Sequence, residues 1–496
     1  MDIPSDDICY RAFRAHDTRF DGRVFVGVTS TGIYCRPVCP ANPPKRENCK
    51  FYPSAAAAQE AGFRPCLRCR PEISPDVAAW RGTSNTVSRA LAMIARGALD
   101  ADGANVSDFA DRLGVGERQL RRLFEQHLGA SPIQVAQTRR ILFAKQLIQD
   151  TQLPMTEIAS ASGFGSIRRF NDAFQRLFRR TPTELRKPKS RNLAPVTSSV
   201  TLRLGYRPPY DWDAMIAFLE GHMVPGVEAV WDKRYARTIE INGQIGSVEV
   251  APGKNYLEAT IRFPDLKALL SIVARLRRLF DLDADVDAIG AHLSADPGLA
   301  PLVKRRPGLR APGGWDGFEF AVRSVLGQQV TVKAACKFAG QLVEAAGKRV
   351  TPAQTGNERL THVFPTPAEM AASDLLTVGL TGQRRKTLHN LAAAAMADPS
   401  LFDLDQVQAN VMSRLLDLPG FGEWTAQYWA LRAGRDADAF PAADVALLRS
   451  PAVAEKDNAP PTPKALLERA ESWRPWRAYA AQHLWTADGD PKVANV

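Results

Sequence analysis

The sequence predicts a multidomain protein that is mainly α-helical, with smaller α+β parts. Its 496 residues leave room for about three domains. Two close pairs of cysteines near the start are typical of a small metal-bound domain, and a helical pattern at residues 107–124 recurs 49 residues further along. At residues 418–422 a Leu-Pro-Gly-Phe-Gly turn separates two helical segments. Together these observations give the predicted fold class.

Short segments without apolar periodicity divide the chain. Residues 71–84 and 187–199 are polar and contain proline, and residues 301–314 are rich in proline and glycine. The predicted parts are a small zinc-binding α/β domain at 1–75, an all-α tandem helix-turn-helix domain at 85–188, a linker at 189–199, an α+β subdomain at 200–300 and an all-α helix-hairpin-helix domain at 301–490. No apolar run approaches the roughly 18 residues that would span a bilayer, so we expect no membrane partner.

Four cysteines of the first domain form the pattern of a metal site: Cys35, Cys39, Cys66 and Cys69. Each pair can supply two corners of a tetrahedron, and both pairs together complete a site with four sulfurs for one Zn²⁺. Two disulfides or scattered buried thiols are the alternative. Only seven cysteines occur in the chain. We expect no signal peptide and hence a reducing cytosol that opposes disulfides, so the pattern favours zinc.

The repeated pattern predicts two helix-turn-helix motifs. In each copy a small alanine lets two helices cross closely, and a glycine four residues later makes the tight turn. Such motifs place their second helix in a major groove of DNA. The residues expected in the core are Leu120, Leu123, Phe124, Phe170 and Phe174. The arginines expected on the outer, DNA-facing side are Arg118, Arg121, Arg122, Arg168 and Arg169.

Net positive charge is confined to the first part of the chain. Residues 1–200 hold 30 Lys and Arg against 19 Asp and Glu, whereas residues 201–496 hold 34 of each kind. A solvated surface is the simplest alternative account of such a bias. Because the whole excess of +11 lies in one part and consists mostly of arginine, it favours a nucleic-acid partner.

The turn at residues 418–422 predicts a helix-hairpin-helix. Backbone N–H groups at Gly420, Gly422 and the start of the second helix can hold a DNA phosphate without sequence preference, although an ordinary turn between helices has the same pattern. Some 22 residues further on, Asp444 precedes an apolar helix. An acidic residue there is either a helix N-cap or a catalytic carboxylate, and the pattern alone leaves both open.

The first domain resembles the N-terminal domain of the Ada alkylation-response family. The resemblance rests on the segments Thr-Gly-Ile-Tyr-Cys-Arg-Pro at 31–37, Gly-Phe-Arg-Pro-Cys at 62–66 and Asp-Gly at 21–22. It implies that Cys35 irreversibly accepts a methyl group from a DNA phosphotriester, with Thr31 and Arg64 on the DNA backbone. The methylated domain then binds DNA more tightly.

Charge supplies a physical reason for that switch. Four thiolates around one Zn²⁺ carry a net charge of about −2, which DNA phosphates repel, and methylation of one sulfur removes part of the repulsion. The chain departs from the family at Pro40 and Asn42, where basic residues that meet DNA are expected.

Residues 86–187 resemble the AraC-type DNA-binding domain, with its two helix-turn-helix motifs joined by a helix at about 132–149. The resemblance implies a transcriptional activator that binds promoter sites in double-stranded DNA and has RNA polymerase as a partner. Such a protein is expected in the cytoplasm, at the bacterial nucleoid. Its oligomeric state stays open.

Residues 200–490 resemble the AlkA branch of the helix-hairpin-helix DNA glycosylases. The resemblance rests on the hairpin, on the segments 308–310 and 326–330, and on the aromatic segment 473–485. It implies hydrolysis of the N-glycosidic bond of alkylated bases such as 3-methyladenine, driven by Asp444 without a cofactor.

The same resemblance assigns the surroundings of the lesion. Trp424, Tyr428 and Trp485 line a pocket for the extruded base, and Gln329 is the wedge in the duplex, where some relatives have leucine. Trp424 stands where relatives that also cut the strand carry lysine, so we expect removal of the base alone. Two alternatives stay open: a regulator whose glycosylase-like half only binds DNA, and a repair enzyme whose zinc is only structural.

Overall fold

The structure is a computed structural model that describes residues 4–75, 85–100, 105–186, 199–402, 408–454 and 459–488. The chain forms two compact units. The first comprises Met1–Pro208, Gly253–Ala274 and Leu282–Ala284, and the second comprises Pro209–Pro252, Arg275–Asp281 and Asp285–Val496. The predicted linker at 189–199 lies, except for its last residue, outside the described residues. Within the described parts of the chain, no helix is long and apolar enough to cross a bilayer.

Helices dominate both units. The α-helices, in chain order, are α1 (Asp6–Arg14), α2 (Ala55–Glu60), α3 (Asn85–Ala95), α4 (Val106–Arg112), α5 (Glu117–Leu128), α6 (Pro132–Asp150), α7 (Met155–Ala161), α8 (Ile167–Phe178), α9 (Pro182–Leu185), α10 (Trp212–His222), α11 (Leu269–Leu279), α12 (Val286–Leu293), α13 (Ala300–Arg305), α14 (Gly317–Leu326), α15 (Val332–Ala346), α16 (Pro352–Thr355), α17 (Pro367–Ala372), α18 (Gly382–Ala397), α19 (Gln408–Leu416), α20 (Glu423–Arg432), α21 (Val445–Arg449), α22 (Pro463–Ala470) and α23 (Arg477–Asp488). Short 3-10 helices are Thr18–Phe20, Arg46–Asn48, Pro71–Ile73, Leu266–Ala268, Pro451–Val453 and Glu471–Trp473.

Strands are short and few. They are β1 (Phe25–Val28), β2 (Ile33–Cys35), β3 (Cys49–Tyr52), β4 (Arg64–Pro65), β5 (Val200–Gly205), β6 (Glu228–Trp231), β7 (Arg234–Ile241), β8 (Gln244–Pro252) and β9 (Tyr256–Arg262). In the first unit, β1 to β4 form one sheet in the order β3-β1-β2-β4, and β5 pairs antiparallel with β9. In the second unit, β6, β7 and β8 form an antiparallel meander. The predicted mainly helical, multidomain fold class is therefore confirmed.

The two helix-turn-helix motifs form as the repeat predicts. Gly114 and Gly163 adopt φ values of +72° and +76° at the turns, a conformation that side chains other than glycine rarely adopt. Leu120 and Phe124 of α5, with Phe170 and Phe174 of α8, are fully buried. Leu123 is partly buried against the same core as Leu120. The helix that joins the motifs, α6, starts with Pro132 after a capping box that Ser131 and Gln134 form.

Buried charges join the end of the cysteine-bearing domain to α6. Lys145 of α6 pairs with Glu72, and neither side chain is exposed. Arg70 donates to Glu72 at 2.9 Å and to Asp150 of α6 at 2.9 Å. Because an unpaired buried charge is very costly, these partners stabilise one another only when both domains are folded. No sequence pattern indicated this contact, since the partners across it lie 73 and 80 residues apart.

The hairpin of the second unit lies between α19 and α20. Gly420 has φ +92°, and a Cβ there would lie 2.4 Å from the hydroxyl oxygen of Thr387. Glycine is therefore required both by the backbone conformation and by the neighbouring α18. Gly422 is the N-cap of α20 and is exposed, with open space around it.

Candidate functional site

The four predicted cysteines form one buried cluster. Their sulfur atoms all lie within 4.8 Å of one another. Strand pairing explains this: β2 and β4 run parallel with Tyr34 opposite Pro65, so that Cys35 and Cys66 follow at the same level. A tetrahedral Zn²⁺ with Zn–S bonds of about 2.3 Å needs sulfurs about 3.8 Å apart, and the cluster fits that requirement.

Hydrogen bonds distinguish the four sulfurs. The backbone N–H of Arg36 donates to Cys69 Sγ at 3.3 Å, and that of Arg68 donates to Cys66 Sγ at 3.4 Å. The backbone N–H of Ala41 contributes to lowering the pKa of Cys39. Among residues 4–75, no backbone N–H donates to the sulfur of Cys35. Among the described residues, the Cys35 sulfur therefore accepts the fewest backbone hydrogen bonds of the four.

The close packing of the four thiols explains why the cluster needs a cation. Hydrogen bonding with Cys35 lowers the pKa of Cys39 to about 7. Hydrogen bonding with Cys39, Cys66 and Cys69, together with burial, raises the pKa of Cys35 far above its usual range. Four thiols at this separation cannot all ionise without a positive charge among them, and Zn²⁺ supplies that charge.

The predicted DNA-backbone residues lie at one end of the same sheet. Thr31 is exposed in the turn between β1 and β2. Arg64 is half-buried in β4, and its backbone N–H donates to the carbonyl of Gly32 at 2.9 Å. Cys35 ends β2, Arg64 lies on the neighbouring strand β4, and Thr31 lies in the turn that leads into β2.

The predicted outer arginines of the helix-turn-helix motifs are exposed. Arg118, Arg121 and Arg122 lie on α5, and Arg168 and Arg169 lie on α8. Arg121 also pairs with Glu117 one turn earlier at 2.6 Å, an exposed pair that contributes little to stability. Both second helices therefore present positive charge to solvent.

Asp444 is the N-cap of α21, and its carboxylate also accepts hydrogen bonds from two tryptophan side chains. Its Oδ1 accepts hydrogen bonds from the backbone N–H groups of Ala446 and Leu447 at 3.0 and 3.1 Å. The same carboxylate accepts the indole N–H of Trp424 on Oδ2 and that of Trp485 on Oδ1, each at 2.9 Å. The half-buried carboxylate is therefore held rigidly from two sides.

Aromatic rings surround this carboxylate. Trp424 stacks on Tyr428 with ring centroids 5.2 Å apart, and Trp485 meets Tyr428 edge-on at 6.0 Å. Phe320 of α14 packs on Tyr428 at 5.5 Å. All three predicted pocket rings are only partly buried. The structure thus brings together Asp444, Trp424, Tyr428 and Trp485, which the sequence places up to 61 residues apart.

The predicted wedge, Gln329, is exposed after α14 and adopts φ +53°. Its neighbour Gln328 was not predicted to matter. The Gln328 amide donates to the carbonyl of Gly420 at 2.8 Å and to the hydroxyl of Thr425 at 2.9 Å. Gln328 therefore fixes the loop that carries Gln329 to the hairpin.

Two further residues of the aromatic site were missed. Phe218 of α10 and Arg432 of α20 pack together, with the Arg432 guanidinium carbon 4.5 Å from the Phe218 ring centre. Trp424, Tyr428 and Arg432 follow one another at intervals of four residues, so they share one face of α20. That spacing is the signal that could have found Arg432.

Three family descriptions match parts of the chain. "Metal binding domain of Ada" matches residues 8–72, "Helix-turn-helix domain" matches residues 109–188, and "AlkA N-terminal domain" matches residues 201–316. The first match covers the four cysteines, the second covers both helix-turn-helix turns, and the third runs from β5 to the N-cap of α14.

Relatives extend these matches to almost the whole chain. The chain is 42% identical over 482 residues to the probable bifunctional transcriptional activator/DNA repair enzyme AlkA of Mycobacterium tuberculosis, covering 96% of this chain and 95% of that protein. It is 33% identical over 293 residues to DNA-3-methyladenine glycosylase 2 of Escherichia coli, covering 58% of this chain and 97% of that protein. The solved 3-methyladenine DNA glycosylase of Archaeoglobus fulgidus shares the fold, with a TM-score of 0.52 and 18% identity over 58% of this chain and 98% of that one.

Fold and sites together define a DNA repair enzyme that also carries a zinc-thiolate domain and a tandem helix-turn-helix, with DNA as its partner. The four cysteines bind one zinc ion. The chain belongs to the family of bifunctional transcriptional activators and DNA repair enzymes in which an Ada-type part is fused to an AlkA-type part.

Proposed function

We propose that the second unit removes alkylated purines such as 3-methyladenine from DNA by hydrolysing the N-glycosidic bond. The observation that carries this proposal is the carboxylate of Asp444, fixed by the indole N–H groups of Trp424 and Trp485 inside a cluster of aromatic rings. A regulator that only binds DNA would have no need for a carboxylate held in this way.

The chemistry follows from these groups. An enzyme that acts on a base in a duplex first extrudes it from the stack, and partly exposed rings such as Tyr428 can then hold it. Ring alkylation makes the base a good leaving group, so little acid assistance is needed. As the bond to the sugar breaks, the sugar gains positive charge, which the carboxylate of Asp444 stabilises while water completes the hydrolysis.

Other residues support removal of the base without cleavage of the strand. The residue at the second position after the hairpin is Trp424, which has no amine to form a Schiff base with the sugar. The exposed glycines Gly420 and Gly422 leave backbone N–H groups at the start of α20 free to approach a phosphate. Gln329, at the end of a loop fixed by Gln328, takes the place of the extruded base.

The test is to incubate the full chain with a duplex that contains 3-methyladenine and to follow both products. We expect release of the free base by chromatography and an intact strand with an abasic site by denaturing gel electrophoresis. Strand cleavage without added alkali would contradict the monofunctional assignment, and no base release would contradict the glycosylase itself.

We also propose that Cys35 accepts a methyl group from DNA methyl phosphotriesters. The zinc ion keeps the four sulfurs ionised at neutral pH. The Cys35 sulfur forms a bond to the methyl carbon, the bond from that carbon to the phosphate oxygen breaks, and the oxygen keeps the electron pair as an ordinary phosphodiester. The absence of a backbone hydrogen bond to Cys35 within residues 4–75 supports this choice among the four, because a less engaged thiolate is the better nucleophile.

The consequence of methylation is activation of transcription. Loss of one negative charge at the zinc centre reduces repulsion from DNA, so the arginines of α5 and α8 bind promoter DNA more tightly. RNA polymerase is the partner that such an activator would contact.

Peptide mass spectrometry after incubation with DNA that carries methyl phosphotriesters tests this second activity. We expect one methyl group on the peptide that contains Cys35. A methyl group on Cys39, Cys66 or Cys69 instead would overturn the assignment of the acceptor.

A further inference from the structure

The loop between α14 and α15 carries the proposed wedge in an unfavourable backbone conformation. Gln329 is exposed and adopts φ +53°, in the left-handed region that residues other than glycine rarely adopt and that costs energy. Its long polar side chain also has more rotamers to lose than the leucine of some relatives. A glutamine wedge therefore needs a loop that is held firmly by its neighbours.

A charged hydrogen bond holds the peptide group just before the wedge. Nη2 of Arg384, on α18, donates to the backbone carbonyl of Gln328 at 2.5 Å. That carbonyl and the backbone N–H of Gln329 belong to one planar peptide group, so the bond also fixes the direction in which the chain enters Gln329. Because the donor is ionised, the bond is stronger than one between neutral groups.

The side chain of Gln328 is held from the opposite side. Its amide donates to the carbonyl of Gly420 and to the hydroxyl of Thr425, at 2.8 and 2.9 Å. Thr425 is buried in α20, so this anchor belongs to the core of the second unit. Gln328 is thus fixed at its carbonyl by α18 and at its amide by the hairpin and α20.

The helix α18 contacts the hairpin as well as the loop. Arg384 is half-buried in the first turn of α18, and Thr387 follows it one turn later. The Thr387 hydroxyl packs so closely on Gly420 that a Cβ there would lie only 2.4 Å away. One rigid helix therefore sets the position of the Gln329 loop relative to the hairpin that we propose to bind DNA phosphate.

We propose that Arg384 is a positioning residue for base extrusion, which holds the peptide group before Gln329 so that the Gln329 side chain enters the duplex where the damaged base leaves. This inference rests on the proposed glycosylase function and deepens it. Arg384 acts through Gln329, so its loss should impair extrusion of the base, and excision should slow only because less of the base is extruded.

The test uses the full chain, in excess, and a duplex with 2-aminopurine beside a 3-methyladenine. The fluorescence of 2-aminopurine rises when its stacked neighbour leaves the helix, and release of the free base gives the excision rate. In Arg384→Met and Arg384→Gln, which remove the guanidinium donor, the fluorescence rise and the single-turnover excision rate should both fall about 10-fold. Arg384→Lys should recover most of both, since its ammonium can donate to the same carbonyl.

Arg385→Met is the matched control. Arg385 is the next residue of α18, is also half-buried, and donates from Nη1 to the carbonyl of Leu380 at 2.7 Å. It removes the same charge from the same helix but leaves the bond to Gln328 intact, so both readouts should stay at the wild-type level.

A double variant separates positioning of the wedge from support of the fold. In a Gln329→Ala background no wedge side chain is left to position, so adding Arg384→Met should cause little further loss of extrusion or excision. A further loss as large as that in the wild-type background would mean that Arg384 acts on something other than the wedge, and the inference would fail.

Two other results would also overturn the inference. One is wild-type extrusion and excision in a folded Arg384→Met variant. The other is a weaker affinity for undamaged duplex, with unchanged extrusion at saturating protein, which is the behaviour of a simple phosphate contact. A wild-type protein that extrudes the base without releasing it would instead refute the proposed glycosylase, and one that does neither would refute both.

Discussion

At the residue scale, Asp444 is the N-cap that the sequence allowed, and it is also the carboxylate that we propose for catalysis. It caps α21, and it receives two indole N–H groups from α20 and α23. The cap was predictable, because an acidic residue before an apolar helix is a common N-terminus. The indole contacts were not, because Trp424 and Trp485 lie 20 and 41 residues away and no local pattern specifies where their N–H groups point.

Replacement of Asp444 by asparagine should separate charge from shape. The asparagine side chain can keep the helix cap but lacks the charge, so excision of 3-methyladenine should slow by about 100-fold or more, about 3 kcal/mol in barrier. In the wild type, Asp444 Oδ2 accepts the indole N–H of Trp424. In the variant the amide N–H₂ takes that place, so two donors face each other. Single-turnover excision rates give the measurement.

The double variant Asp444→Asn/Trp424→Phe is the control for that clash. It removes the opposed donor but restores no charge, so its rate should stay as low as that of Asp444→Asn or fall further. Recovery of the rate in the double variant would mean that geometry, and not charge, had limited the single variant.

At the element scale, the hairpin at residues 418–422 and the helices α5 and α8 bring the predicted DNA-contacting groups to the surface. The turn glycines, the helix-turn-helix pattern and the long α6 were all predictable, because glycine at positive φ, alanine at helix crossings and helical periodicity act locally. The hydrogen bond from Gln328 to Gly420 of the hairpin was not predictable, because the two residues lie 92 positions apart. Features that depend on neighbouring residues could therefore be predicted from the sequence, whereas contacts between residues far apart in the chain could not.

Gly420→Ala should damage the hairpin. The new side chain would clash with the Thr387 hydroxyl, and alanine rarely adopts a φ of +92°. We therefore expect a loss of about 1–3 kcal/mol in unfolding free energy and weaker binding of abasic-site DNA. Gly422→Ala is the matched control, because that position has φ −99° and open space. A loss of unfolding free energy in Gly422→Ala equal to that in Gly420→Ala would contradict the requirement for glycine at position 420.

The exposed arginines of α8 should act in promoter binding only. Arg168→Ala with Arg169→Ala removes two positive charges from the second recognition helix, so affinity for promoter DNA should fall and depend less steeply on salt. Excision of 3-methyladenine should be nearly unchanged. Parallel loss of both activities in a folded variant would contradict the separation of the two functions.

At the scale of the whole molecule, the chain joins a zinc-thiolate domain to α6 through buried charges that the sequence does not reveal. Composition did reveal that the positive excess lies in the first 200 residues, because charge counts need no knowledge of contacts. The pairing of Lys145 with Glu72 and of Arg70 with Asp150 makes folding of the zinc domain and packing of α6 interdependent. The first unit should therefore respond as one body to loss of its metal.

Removal of zinc by a chelator should loosen α6 as well as the cysteine loops. Binding energy at a closed zinc site is folding energy, and α6 loses its partners Glu72 and Arg70 when the zinc domain unfolds. Hydrogen exchange should accelerate across α6 after chelation, while α14 and α20 of the second unit keep their protection. Unchanged exchange in α6 would show that the buried charges do not couple the two domains.

One incubation tests the central claim, that a single chain senses a DNA methyl group at Cys35 and removes alkylated bases at Asp444. Wild-type protein and Asp444→Asn are mixed with duplex DNA that carries both methyl phosphotriesters and 3-methyladenine, and the free bases and methylated peptides are measured together. We predict that the wild type releases 3-methyladenine and gains a methyl group on the Cys35 peptide, whereas Asp444→Asn gains the same methyl group and releases almost no base. Base release at the wild-type rate by Asp444→Asn, or a methyl group on another cysteine, would contradict the account.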